Sequence, residues 1–123
     1  MSTLRVNTLQ DATGSDQPAM VGAAKAWVNF NGTGTVAIRA AFNVSSITDN
    51  GTGNYTVNFT NALPDTNYSW AGGVPRDVGG YLASVNAQYA GTYTTAALQI
   101  ITNNASGGGL YFDYPIVTVQ VFR

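Results

Sequence analysis

The chain reads as all-β: an antiparallel β-sandwich, jelly-roll-like, preceded by an extended N-terminal arm. Three observations predict this. Asn-Gly-Thr-Gly occurs twice, at residues 31–34 and 50–53, each time between runs rich in β-branched and aromatic residues. Asn and Gly tolerate the positive φ that tight hairpin turns require, so both copies read as strand-to-strand connections. Apolar and polar residues alternate with period two through much of the chain, and no helical period runs longer than a turn. The composition contains no Glu, a single lysine at Lys25 and 14 glycines, so good helix formers for exposed positions are nearly missing.

Taken in order, residues 1–24 form an arm and linker. Leu4, Val6 and Thr8 alternate with Arg5, Asn7 and Leu9, which suits one short strand, and residues 11–22 are a Gly/Ser/Asp/Pro-rich connector. An isolated arm frays, so a neighbouring subunit is expected to hold it. Residues 25–123 are the sandwich domain. Ala26, Val28 and Phe30 share one strand face, Lys25, Trp27 and Asn29 the other. After the first Asn-Gly turn comes a strand at 35–40, with a bulge or bend near Ala40 and Ala41, then another at 42–48. The second turn leads to the cleanest alternation, Tyr55, Val57 and Phe59 inward and Thr56, Asn58 and Thr60 outward. Pro64 and Asp65 mark a loop, and an extended segment carrying Trp70 follows. The run GGVPRDVGG at 72–80 is predicted to project as a long loop, the kind of segment in which binding functions concentrate. Further strands are expected at 81–89, 95–102, 110–114 and 116–122, with Leu110, Phe112 and Tyr114 facing in, Asp113 facing out and Pro115 marking a kink. Only at 19–26 is a helical turn allowed.

Charge and chemistry narrow the function. Charged residues make up 9% of the chain, against about 25% in ordinary soluble domains. Such a surface relies on Thr, Ser, Asn and Gln for solubility, or is buried against other subunits. A net charge of −1 offers no field for nucleic acid or for anionic membranes. No run is long enough to insert in a bilayer, and no signal peptide is visible. Without cysteine or histidine, thiol chemistry, the commonest general base and the commonest metal ligands are missing; no cofactor or metal is expected. The acids are Asp11, Asp16, Asp49, Asp65, Asp77 and Asp113, and Asp49 and Asp65 sit in turn chemistry, so no catalytic pair is assigned.

Aromatic residues carry the binding signal. An indole can stack on the C–H face of a sugar ring, or fill a core or a subunit interface. For Trp27 the interface is favoured, together with Leu4, Val6, Leu9 and Phe30. Trp70, Arg76, Asp77, Tyr81 and Tyr89, in and around the glycine-rich loop, are the candidate receptor or glycan contacts; packing is the alternative for each aromatic among them.

The segments KAWVNFNGTG at 25–34, FNVSSITDNGTG at 42–53 and YTVNF at 55–59 resemble domains of tailed-bacteriophage virion proteins of the tail-fibre or receptor-binding tip type, and LRVNT at 4–8 is similar to their N-terminal segments. About half the chain carries the resemblance. It implies a non-enzymatic virion component on the tail or capsid surface, a homotrimer that meets other virion proteins through its arm and touches host surface glycan through its loops. A decoration, cement or adaptor protein that stabilises the virion through the arm is the other reading. A chain of this length beginning at Met1 is expected to lack the long shaft of a complete tail fibre, which weighs toward the second.

Overall fold

The computed structural model describes residues 2–3, 23–75, 82–88, 93–104 and 110–123. Both Asn-Gly-Thr-Gly segments close hairpins. The first joins β1 (Ala24–Asn31) to β2 (Ala37–Phe42), the second β3 (Val44–Asp49) to β4 (Asn54–Phe59). Asn31 holds its turn locally: its Oδ1 accepts from the Thr33 N–H and hydroxyl, and its Nδ2 donates to the Thr33 carbonyl. At the second turn Asp49 Oδ1 caps the Gly51 N–H at 2.9 Å. Side-chain capping of this kind is why Asn and Asp favour turns.

The remaining strands are β5 (Ser69–Gly73), β6 (Ala83–Ala87), β7 (Ala97–Asn104), β8 (Leu110–Tyr111) and β9 (Val117–Phe122). They form two antiparallel sheets packed together, the β-sandwich that the alternation predicts. One sheet has the order β2-β1-β9-β5; the other has β3-β4-β7-β6, with β8 also pairing β7. Because β6 occupies one edge of β7 at residues 100–104, β8 lies on the other edge, beyond the start of β4. No described residue is helical, and residues 24–26, where the sequence allows a helical turn, belong to β1.

The core lies between the sheets. Ala26, Val28 and Phe30 of β1 and Val117, Val119 and Val121 of β9 face Tyr55, Val57 and Phe59 of β4 and Leu98 and Ile100 of β7. The period-two spacing in each strand puts these residues on one face, and each buried Val, Leu, Ile or Phe stabilises by about 1.5–3 kcal/mol. Phe30 meets Tyr55 edge to face across the two sheets, with ring centroids 5.1 Å apart. Phe30 is fully buried, which corrects its assignment to a subunit interface: no second chain can reach it. The 110–114 segment departs from prediction as well. Only Leu110 and Tyr111 are strand, Leu110 and Phe112 are exposed, and Asp113 is turned inward while Tyr114 is buried.

The sandwich has two distinct ends. At the root end β1 begins, β9 finishes, and residues 60–68 and 93–96 run. Arg123 grips Asp65 there through two hydrogen bonds of 2.8 and 2.6 Å. A single residue, Asn43, carries the chain from one sheet to the other between β2 and β3. Its φ of 54° makes it the one non-glycine residue with positive φ among the described residues. Its Nδ2 donates to the carbonyls of Lys25 (3.0 Å) and Asn61 (3.1 Å), its Oδ1 accepts from Asn61 N–H (2.8 Å), and its own carbonyl accepts from Thr60 N–H. Asn is among the few residues that occupy this conformation readily, and here its side chain also ties β1 to the exit of β4.

Replacing Asn43 tests this corner. Asn43→Ala keeps the unfavourable φ and loses three hydrogen bonds, so it is expected to cost about 2–4 kcal/mol in denaturant unfolding. Asn43→Gly relieves the backbone and should cost visibly less. Asn43→Asp places a carboxylate against two carbonyl oxygens and should be no better than alanine.

Candidate functional site

The end opposite the root gathers both Asn-Gly turns, the end of β5, the start of β6, and the strap at 112–116 that leads into β9. Its geometry is set by Asp113. Asp113 Oδ1 accepts the Gly53 N–H at 2.7 Å and the Tyr55 hydroxyl at 2.5 Å, and the Gly32 carbonyl oxygen is a second acceptor for that hydroxyl at 3.0 Å. Gly32 N–H donates to the Tyr114 carbonyl at 2.9 Å. One carboxylate and one phenol thereby hold both turns and the strap together. Thr102, buried between the sheets, completes the lock: its carbonyl accepts the Phe112 N–H, its hydroxyl donates to the Phe112 carbonyl at 2.6 Å, and its N–H donates to the Gly53 carbonyl.

Burial and the charge of Asp113 push the Tyr55 hydroxyl well above the ordinary phenol range, burial being the larger cause. At the root end burial, assisted by neighbouring Tyr93, lifts Tyr68 to about 12. Asp65 is held down at about 2 by Arg123 and the Asn67 N–H. Among the described residues no three His, Cys, Asp or Glu come together as metal ligands. The Asp113 oxygen that Tyr55 and Gly53 approach is engaged in holding the backbone.

With its inner side locked, the strap presents apolar side chains outward. Leu110, Tyr111, Phe112 and Ile116 are exposed, and Leu82, just before β6, is 73% exposed. These are five of the eight large hydrophobic residues exposed among the described residues. Ala83, Asn104 and Leu110 lie side by side across β6, β7 and β8, so Leu82 and Leu110 belong to one edge of this end. An exposed apolar cluster on a rigid support marks an interaction surface, since ordering it on contact costs little entropy.

The residues proposed from sequence distribute differently. Arg76, Asp77, Tyr81 and Tyr89 lie outside the described residues, as do Leu4, Val6 and Leu9. Trp70 sits at the start of β5, toward the root. It is packed against the core, paired with inward-facing Val121, and its indole N–H donates to Tyr93 Oη at 2.6 Å. Tyr93 in turn lies 5.5 Å from Tyr68, which meets Phe59 edge to face. Trp70 therefore follows the packing alternative and seals the root of the core. Trp27 stands on the outer face of the four-stranded sheet, 38% exposed. Sequence reasoning missed Leu82, Leu110, Phe112 and Ile116 as surface groups. For the strap the available signal was Pro115, through which a regular strand does not run, so the alternation imposed on 110–114 was unsafe there.

No family model matches the chain, and no match was found among curated proteins or among solved structures.

Two measurements probe the lock. A Cβ at Gly53 would lie 2.5 Å from the Thr102 carbonyl oxygen and 2.6 Å from the Phe112 nitrogen, and φ there is +61°, whereas Gly34 has similar φ but open space. Gly53→Ala should cost more than about 2 kcal/mol and Gly34→Ala about 1 kcal/mol, compared by thermal or urea unfolding. Tyr55 and Tyr68 keep their protons in the native state at pH values where the unfolded chain releases them near pH 10. Their contribution to stability is complete below pH 10 and is lost as pH rises toward 12 and beyond. The phenolate absorbance of these two of the seven tyrosines should therefore appear only together with alkaline unfolding.

Proposed function

We propose that this protein is a non-enzymatic virion component of the tailed-phage type, a tail-fibre or receptor-binding module whose loop end contacts the host surface. The observation that carries this reading is polarity. The first strand starts and the last strand ends at the root, while the exposed apolar residues Leu110, Tyr111, Phe112 and Ile116 project at the opposite end. A module fastened by its root and recognising by its tip needs that division. The resemblance of residues 25–34 and 42–59 to phage virion proteins supports the same assignment, with a homotrimer as the assembled state and location on the tail or capsid surface. The low charge of the chain fits a surface that meets other chains.

A head-decoration, cement or adaptor role is the second reading. It is favoured by the start of β1, where Ala24 lies at the root opposite Phe122, so that the chain enters the sandwich at the end away from the exposed apolar residues. In that role the arm joins neighbouring virion proteins and the loop end is free surface.

Alanine substitution of Phe112 and Ile116, both exposed, should leave the fold intact and lower adsorption of assembled particles, or binding of the purified protein to host cells, by tenfold or more. Unchanged adsorption would favour the decoration role. Deleting residues 1–22 should then abolish incorporation into particles while leaving the sandwich folded by circular dichroism; a truncated protein that still assembles contradicts attachment through the arm.

A further inference from the structure

The two Asn-Gly-Thr-Gly turns share a sequence and differ in surroundings, and nowhere else in the chain is Asn followed by Gly. At the first, Asn31 is the last residue of β1 and stands opposite Ala37. Gly32 is buried, and its N–H donates at 2.9 Å to the Tyr114 carbonyl. A Cβ on Gly32 would lie 2.5 Å from Tyr55 Oη, so this peptide is wedged against the lock. At the second turn, Asn50 lies outside β3 and β4 and is exposed, as is Gly51, where an added Cβ would meet nothing within 4 Å. Asn50 Nδ2 donates to the Thr56 hydroxyl at 2.8 Å on the outer surface. The Gly51 N–H points at a base, Asp49 Oδ1, at 2.9 Å. A peptide carbonyl takes no proton from its donor, whereas a carboxylate can, and this separation is within the reach that proton transfer needs.

We propose that Asn50 is a self-modification site, at which the chain converts its own amide into an acid, and that the lock withholds the identical Asn31 from the same reaction. The Gly51 nitrogen bonds to Asn50 Cγ and closes a succinimide ring. Its proton passes to the Asp49 carboxylate and on to the side-chain nitrogen, which leaves as ammonia when the Cγ–Nδ2 bond breaks. Water then opens the ring at either carbonyl, giving aspartate or isoaspartate at residue 50. Water is the only co-reactant, and nothing is oxidised or reduced. Ring closure requires rotation about the Asn Cα–C bond, out of the extended conformation of a strand, to swing the next nitrogen onto the side chain. At Asn50 that swing breaks exposed hydrogen bonds alone. At Asn31 it must take the Gly32 N–H from Tyr114 and disturb the Tyr55 hydroxyl bound to the Gly32 carbonyl, so the lock itself would have to open. Each conversion adds a negative charge next to Asp49, in a chain of net charge −1. Isoaspartate also inserts a methylene into the backbone of the turn that leads to Gly53 and its bond with Asp113. The reaction does not depend on the role proposed for the loop end.

The test is ageing of the full chain in mildly alkaline buffer, followed by tryptic mass mapping and an isoaspartate assay. Cleavage at Lys25, Arg39 and Arg76 puts the two turns on separate peptides, 26–39 and 40–76. In the native protein Asn50 should convert roughly tenfold faster than Asn31, or more, because only the first turn needs the lock to open. In concentrated urea, where the shared tetrapeptide is all that remains, the two rates should converge. Asn50→Gln should remove the change from peptide 40–76. Asp49→Asn keeps an oxygen for the Gly51 N–H but removes the base, and should slow the native reaction at Asn50 severalfold. Equal native rates at the two turns overturn the proposal, as does an Asn50 that stays intact in the native protein while the unfolded chain converts. A native rate unchanged by Asp49→Asn overturns the part given to the carboxylate.

Discussion

Everything at the loop end hangs on a hydrogen bond between two side chains 58 residues apart in the chain, the Tyr55 hydroxyl and the Asp113 carboxylate. Tyr55 comes from the middle of the five-stranded sheet and Asp113 from the strap entering the four-stranded one. Their contact, extended by Gly53 N–H and the Gly32 carbonyl, converts two independent hairpins into one unit. Inside a sandwich of small apolar side chains such a charge-assisted bond is strengthened by the low polarity around it, and breaking one side leaves the other group unsatisfied. The same bond orients the strap. Because Asp113 and Tyr114 point in, Phe112 and Ile116 must point out.

The root is held by a different chemistry. Asn43 accepts a left-handed backbone and uses its amide to tie three segments, and the Tyr68, Tyr93, Phe59 and Trp70 rings close the core at this end. One end of the molecule is therefore secured by backbone-to-amide bonds around a one-residue corner, the other by a phenol and a carboxylate.

Much of this was legible in the residues. The two Asn-Gly turns and the inward sets at Ala26, Val28, Phe30 and at Tyr55, Val57, Phe59 follow from turn chemistry and alternation. The bend expected near Ala40 and Ala41, between strands at 35–40 and 42–48, lies instead at Asn43: β2 continues through Phe42, and near Ala40 there is only a bulge in its pairing with β1, where Phe30 faces Ile38 and Asn29 faces Ala40. The inward alternation of Phe30 already argued against an interface role, and the structure settles it. What could not be read was anything requiring a partner distant in sequence. Asp113 looks solvent-facing until Gly53 and Tyr55 are known to lie above it. Trp70 looks like a ligand platform until Tyr93 supplies the acceptor for its N–H.

The single-residue passage between the sheets also limits how this domain can vary. With no slack between Phe42 and Val44, an inserted residue would either slide β3 against β4, turning Ile47 and its neighbours to the wrong face, or break the ties to Lys25 and Asn61. Length variation is thus excluded at this corner: one residue fixes the stagger of the two sheets, and the domain is built on a base that tolerates no change of length.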